Sequence, residues 1–477
     1  MPSNSLHSAT RRSFSAALLA AAMGLGQVIV LAHLLPKSEL ALAALSSVWV
    51  GLAAQLQEGG VNAAVIQHPQ TPHNALSTLY WFNLLQGAVL WALVALSGWG
   101  MAHFYGESQL ASLTIVYAAT LFVGGFGAQY KVLLQKNFRF DWLTRIEVIG
   151  AATALFVSCG LAWRGWEAWA LILGYLVRQL METILLIAAG RPLFRPAPVW
   201  RPEEAKPWFS SGFSHFGERL TTHFVGQLDT LLIGKFWGVE ALGVYDTFRR
   251  IVFRPAVLIA GAAEKVAFPL LSKLQSRPLY LRKAYLGLLN GLNTLLFPAY
   301  VLAILLAAPI VGFVFGATWV PYTAVFQWLC LSAMVATQLN PVDSLLLAKG
   351  KIHLWQRAGM AQGVLTLVAL AIVAGQQLVF AAAALTIVQG LLCAFVFLKI
   401  LPEELGMAIG DFNKAVLRPA LFCGFAALPL IASYNRSLGM AHVLGILLFL
   451  VLYGFGVRRW NREIYKWLLS LLKRKPC

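Results

Sequence analysis

The chain has 477 residues, 59% hydrophobic and 12% charged, with a mean hydropathy of +0.71, whereas water-soluble domains carry about 25% charged residues. This composition excludes a soluble globular protein, and the apolar residues come in runs of about twenty, enough for a helix to cross ~30 Å of hydrocarbon, rather than in the short alternation of an outer-membrane barrel. The formal charge of +18 points to basic loops that orient a polytopic protein and not to nucleic acid, and five scattered cysteines without CxxC or His-rich spacing indicate neither a disulfide framework nor a metal site.

At the N-terminus Arg11 and Arg12 precede an apolar run that continues to Leu35. A twin-arginine export signal has a shorter apolar region, so the run is read as a retained first span behind a basic cytoplasmic anchor. Apolar runs between charged or Pro/Gly breaks then predict about fourteen spans. They lie near residues 13 to 35, 40 to 57, 75 to 98, 110 to 130, 146 to 163, 168 to 189, 209 to 236, 240 to 272, 286 to 308, 320 to 348, 357 to 375, 378 to 400, 415 to 433 and 440 to 457.

Alternation from an inner start puts 27 basic residues in the inner segments and four, Lys37, Arg164, Lys235 and Arg436, in the outer ones. Lys and Arg collect on the cytoplasmic side, so both termini are expected there, and most of the net charge is accounted for. Six basic residues fall inside spans: Arg178, Arg219, Arg249, Arg250, Arg254 and Lys265.

An internal repeat is visible. "GQVIVLAHLLPKSEL" from Gly26 matches "GQLDTLLIGKFWGVEAL" from Gly226, and "LLQKNFRFDW" from Leu133 matches "LLAKGKIHLW" from Leu346, with lysine and tryptophan at the same spacing. Transporters are often built from two such halves around a central site. The expected fold class is therefore an all-α polytopic membrane protein with two homologous six-helix lobes, residues 1–190 and 209–400. Two further helices, 401–457, and a basic cytoplasmic tail, 458–477, complete it. The proline-rich stretch 191–208 is a cytoplasmic linker between the lobes.

Helical phase gathers the intramembrane charges. In span seven His215, Glu218, Arg219, Thr222, Gly226 and Asp229 share one stripe, and in span eight Asp246, Arg250 and Arg254 follow at i, i+4 and i+8, with Arg249 beside them and Glu264 returning to the same direction beyond Pro255. A charge at mid-bilayer costs about 2.5 to 3.5 kcal/mol on the lenient insertion scale, so these faces meet partners or water. Internal pairing answers for part of the set: Asp246 with Arg250, Glu218 with Arg219, and Arg178 with Glu182 at i, i+4. For Arg178 and Glu182, internal pairing and a functional role both stay open. Span eight holds four cations, with Lys265, against Asp246 and Glu264, and this excess implies a wet, net cationic cavity for an anionic ligand. Arginine forks suit phosphate oxygens in particular. Glu218, Asp229, Asp246, Glu264 and Asp343 serve there either as ion-coupling groups or as structural partners.

The runs "LPKSELALAALSSVWVGLAAQLQEGGVNAAVIQ", "LLQKNFRF", "QLDTLLIGKFWGVEALGVYDTFRR", "FGATWVPYTAVFQWL" and "LLLAKGK" together resemble the polysaccharide transporter family. These are the Wzx-type lipid-linked oligosaccharide flippases of the multidrug/oligosaccharidyl-lipid/polysaccharide exporter superfamily. The resemblance, over residues 13 to 400, implies a V-shaped pair of six-helix lobes in the bacterial inner membrane. It implies movement of an undecaprenyl-pyrophosphate-linked sugar repeat to the outer leaflet for exopolysaccharide or O-antigen assembly, beside polysaccharide polymerase and chain-length proteins. Asp229 matches the family's acid in "DxLLIG", Arg250 the arginine after "GxY", and Gln67 closes "AxIQ"; Arg249, Arg254 and Asp343 depart from the pattern. The expected site is a pyrophosphate held by Arg250, Arg254, Arg249 and Arg219. No cofactor is expected beyond coupling to H+ or Na+, and no phosphate-loop string GxxxxGK followed by Ser or Thr occurs. A multidrug cation antiporter of the same superfamily is the alternative, disfavoured by the sign of the cavity charge. A membrane enzyme acting on lipid-linked sugars is a further one, disfavoured by outer loops of at most about fifteen residues, and a passive scaffold gives no reason for buried cations.

Overall fold

A computed structural model describes residues 3–59, 65–66, 71–206, 216–407, 409–433 and 440–460. Among them all regular structure is helical, as a lipid-facing chain requires, because only a helix or a closed barrel satisfies every backbone N–H and C=O without water. Nine helical segments among the described residues are long and apolar enough to cross a membrane: Ala16–Leu34, Lys37–Gln57, His73–Tyr105, Gln109–Lys136, Phe140–Trp163, Glu167–Gly190, Pro278–Leu305, Ala317–Ala348 and Leu378–Leu405. Shorter apolar helices cover Ala415–Pro429 and Leu444–Arg458. The chain divides into two compact units, Met1–Thr247 and Phe248–Cys477.

The first unit contains α1 (Ser3–Leu34), α2 (Lys37–Gly59), α3 (His73–Tyr105), α4 (Gln109–Lys136), α5 (Phe140–Trp163), α6 (Glu167–Gly190), α7 (Phe216–Phe236) and the start of α8 (Gly238–Leu274). α4 is central, touching α2, α3, α5 and α6. Two glycines let α3 and α4 approach: a Cβ on Gly87 would lie 2.8 Å from the Leu121 carbonyl, and one on Gly125 would lie 2.9 Å from that of Asn83. Such small-residue contacts, with hydrogen bonds across helices, drive association in lipid, where burial of apolar surface does not. The polar ties are Gln27 to Ser158 (3.0 Å), Ser46 with Thr114 (3.1 Å), Gln57 Nε2 to the Leu121 carbonyl (3.0 Å) and Asn83 Nδ2 to Gln129 Oε1 (3.3 Å).

α7 and the first turns of α8 are fastened to the same unit. Lys235 Nζ donates to the Phe104 carbonyl (2.6 Å) and lies over the Phe104 ring, Tyr105 donates to the Leu231 carbonyl (3.1 Å), and Glu240 faces Lys37 at 3.6 Å. Gly238, at φ 84°, makes the left-handed break between the two helices.

The second unit contains the rest of α8, then α9 (Pro278–Leu305), α10 (Ala307–Val314), α11 (Thr323–Ala336), α12 (Asn340–Ala348), α13 (Ile352–Ile372), α14 (Leu378–Phe395), α15 (Leu401–Leu405), α16 (Ile409–Phe412), α17 (Arg418–Ser433) and α18 (Met440–Trp460). The "FGATW" run supplies Phe315 and Trp319, which close with Phe248 and Phe326 into an aromatic cluster at 5.1 to 5.5 Å between centroids. Asn293 and Gln338 form a reciprocal amide pair: Asn293 Nδ2 donates to Gln338 Oε1 (3.0 Å) and the Ala415 carbonyl (2.9 Å), and Gln338 Nε2 returns a bond to Asn293 Oδ1 (2.7 Å). At one end of the unit Glu404, nearly buried, receives Lys349 (3.2 Å) and Lys351 (2.8 Å), and Arg282 pairs with Asp411.

Two outcomes follow for stability in detergent. Asn293→Leu leaves Gln338 Oε1 and the Ala415 carbonyl without their donor, while Gln338 Nε2 keeps its bond to the Met334 carbonyl (3.1 Å); it is expected to cost about 1 to 3 kcal/mol, with the double variant Asn293→Leu, Gln338→Leu recovering part of the loss, and thermal unfolding midpoints of wild type, the two single variants and the double variant check it. Glu404→Gln removes two ion pairs, one of them to the half-exposed Lys351, and is expected to lower the midpoint by a margin that high salt narrows but does not close, which a salt series measures.

Candidate functional site

The first unit contains a partly open cavity of about 600 Å3 among α2, α4, α5 and α6. Each helix contributes a stripe at the helical repeat: Val50, Ala54 and Gln57 from α2, and Gly124, Ala128, Lys131 and Gln135 from α4. The space exists because α4 presents glycine and alanine where larger side chains would fill it. A Cβ on Gly124 would point at the Gln179 and Gln57 amides from 3.4 and 3.7 Å.

α6 supplies the charge. Arg178 Nε donates to Glu182 Oε1 at 2.7 Å, with about a third and a fifth of the two side chains exposed. Gln179 Nε2 donates to Thr183 (3.3 Å), whose hydroxyl continues to the Val123 carbonyl (3.3 Å) and ties α6 to α4. Gly150 of α5 makes room for the ion pair: any Cβ there would strike the Glu182 carboxylate, with Cγ 2.6 Å away. Lys131 and Glu147 complete the lining with one further charge of each sign. Val50, Leu121, Val132, Leu143, Ile146 and Leu186 make the rest of the lining apolar, so the cavity is half polar and half apolar, with its charges balanced and several groups that both donate and accept hydrogen bonds.

The acids of α7 and α8 form a second feature of this unit. Asp229 Oδ2 accepts from the Tyr245 hydroxyl at 2.6 Å, and Oδ1 from the Thr230 N–H at 2.8 Å. Asp246, one residue beyond Tyr245, is buried. The side chains of Glu218 and Arg219, like Gln67 and His215, lie outside the described residues.

In the second unit Arg249 is half-buried while Arg250, Arg254 and Glu264 are exposed along α8. Asp343 stands on α12, half-buried, with Oδ1 accepting from the Ser344 N–H at 2.6 Å. The structure therefore brings Arg178 to Glu182 and Tyr245 to Asp229, and it sets the three α8 arginines on the same stretch of helix. Sequence reasoning missed Gln57, Glu147 and Gln179, and it placed Lys131 in a loop. The readable signal was a pair of small residues, Gly124 and Ala128, in phase with Lys131 on one helix.

The family described as "Polysaccharide biosynthesis protein" matches residues 30–324. The teichuronic acid biosynthesis protein TuaB of Bacillus subtilis (strain 168) is 30% identical over 62% of this chain, and the match spans 61% of TuaB's length. The lipopolysaccharide biosynthesis protein WzxC of Escherichia coli (strain K12) is 27% identical over 73% of this chain and 70% of its own. Among solved structures, the lipid II flippase MurJ in an inward closed conformation superposes with a TM-score of 0.74 at 15% identity, covering 94% of this chain and 99% of MurJ. An inward-facing multidrug resistance MATE transporter of the MOP superfamily follows at 0.61 and 13%, covering 80% and 93%. The fold is that of these transporters, and a signature spanning more than half of its residues makes the chain a member of the polysaccharide biosynthesis protein family, alongside Wzx-type relatives.

Proposed function

We propose that the protein is a flippase that moves an undecaprenyl-pyrophosphate-linked oligosaccharide from the inner to the outer leaflet of a bacterial inner membrane, for exopolysaccharide or O-antigen synthesis. The observation that carries this reading is a transporter fold, in a family named for polysaccharide biosynthesis, whose α8 bears Arg249, Arg250 and Arg254 within six residues. Such a charge density is costly in lipid and useful to a pyrophosphate.

On this reading fourteen spans form two six-helix lobes plus two helices, with both termini cytoplasmic, and the lobes rock about the site in alternating access. Arg250 holds the pyrophosphate with Arg254, Arg249 and Arg219, and the polyprenyl tail stays in lipid. The acids Asp229, Glu218, Asp246, Glu264 and Asp343 are the candidates for coupling to H+ or Na+. Polysaccharide polymerase and chain-length proteins would take over the delivered sugar. The cation excess on α8 disfavours a multidrug cation antiporter.

Purified protein in liposomes with a fluorescent pyrophosphate-linked lipid sugar tests the reading. Wild-type protein is expected to translocate the lipid and Arg250→Ala to slow it by about tenfold or more, the loss of one charge-assisted contact; equal rates at equal protein levels would remove Arg250 from the site. Asp229→Asn, whose amide offers one acceptor oxygen in place of the two that serve Tyr245 and Thr230, is expected to abolish the acceleration that an imposed sodium or proton gradient gives wild-type protein; unchanged acceleration would remove Asp229 from the coupling.

A further inference from the structure

We propose that the cavity of the first unit is a seat for the sugar portion of the lipid-linked substrate; this rests on the flippase reading. Four properties of the cavity point to a hydroxyl-rich ligand.

The first is size. About 600 Å3 falls in the middle of the roughly 300 to 1,000 Å3 range of small-molecule sites and is far larger than a coupling ion needs. The second is charge. Lys131 and Arg178 are matched by Glu147 and Glu182 in the same lining, so the cavity offers a pyrophosphate no net attraction, and a cation none either.

The third is hydrogen-bonding character. Gln57, Gln135 and Gln179 bring three amides, Thr120 a hydroxyl and the ion pair its remaining atoms; Gln57 and Gln179 Nε2 and the Thr120 hydroxyl each spend one donor on the protein itself, toward the Leu121 carbonyl, Thr183 and the Tyr117 carbonyl. The pair is joined through Nε and Oε1, which leaves the guanidinium's terminal NH2 groups and Oε2 with capacity toward a ligand. Adjacent hydroxyls of a sugar donate and accept at once, and neighbouring amide and carboxylate–guanidinium groups answer both demands. The fourth is construction. Gly150 leaves room behind the Glu182 carboxylate and Gly124 leaves the amides uncovered, and among the described residues no aromatic ring lines the cavity to favour a flat apolar cation.

Position agrees with loading. The cavity includes Lys131 and Gln135 near the end of α4, and Leu143 and Glu147 near the start of α5. The connection between those helices is the basic stretch that charge asymmetry assigns to the cytoplasm, where lipid-linked sugars begin the passage proposed above.

The experiment uses full-length protein in nanodiscs with three probes: undecaprenyl pyrophosphate, the same lipid bearing a neutral trisaccharide, and the free trisaccharide. Gln179→Ala removes one amide, and Gly124→Trp plugs the cavity. Both are expected to weaken the trisaccharide lipid by about tenfold while leaving the bare lipid within about twofold. The free trisaccharide is expected to compete weakly with the sugar lipid on wild-type protein and not at all on Gly124→Trp. Loss of both lipids alike, loss of neither, or free sugar binding as tightly as the lipid-linked form would overturn the inference. Should Gly124→Trp not fold, Gln179→Ala decides alone. Wild-type protein that translocates but does not distinguish the two lipids overturns this inference and spares the flippase reading; wild-type protein that neither binds nor translocates either lipid overturns both.

Discussion

In hydrocarbon a polar group has no water to fall back on, and that constraint governs every feature of this protein. The backbone answers it by making all of its regular structure helical among the described residues, and many side chains answer it in pairs. Gln27 finds Ser158, Asn83 finds Gln129 and Asn293 finds Gln338, each reaching from one helix to another. The helices are held by these ties and by close glycine contacts such as Gly87 on the Leu121 carbonyl. Where pairing leaves room to spare, as around Arg178 and Glu182, the result is a cavity.

The charged groups follow the same rule with a different balance. On α6 one arginine meets one glutamate four residues on, and the lining around them adds one more charge of each sign. On α8 the five cations, Arg249, Arg250, Arg254, Lys265 and Lys273, outnumber the three acids, Glu240, Asp246 and Glu264. A sugar linked to a lipid through pyrophosphate divides in a similar way, into a doubly charged diphosphate and a hydroxyl-rich chain. The two regions of the protein differ in the way the two portions of such a molecule differ, and this is the physical content of the proposals above.

Much of this was legible in the sequence. Apolar runs marked the membrane helices because hydropathy is a local property, and the i, i+4 spacing of Arg178 and Glu182 put them within reach because helical phase is local too. The short motifs from "LPKSEL" to "LLLAKGK" pointed to the family that the chain belongs to. The cavity was not legible, since Gln57, Lys131, Glu147 and Gln179 come from four helices and meet only through packing. Uncharged amides scarcely disturb a hydropathy profile, and a lysine at a helix end reads as loop. Tyr245 escaped for the same reason: its bond to Asp229 joins two helices, and a tyrosine beside Asp246 and two arginines draws no attention of its own.

The Asn293–Gln338 pair bears on how the chain arose. Its relation to Asn83–Gln129 is close but not in register: Gln338 stands eight residues before Leu346, and eight residues before the matching Leu133 stands Gly125, with Gln129 one turn further on. Gly125 is the glycine that brings α4 against the Asn83 carbonyl. If the halves descend from one duplicated ancestor, the amide lock has slid along its helix by a single turn in one copy, and the abandoned position has shrunk to glycine. Divergence in such a bundle then moves a polar clasp along its helix without removing it, and the glycine left at the old position becomes a point where two helices close on one another.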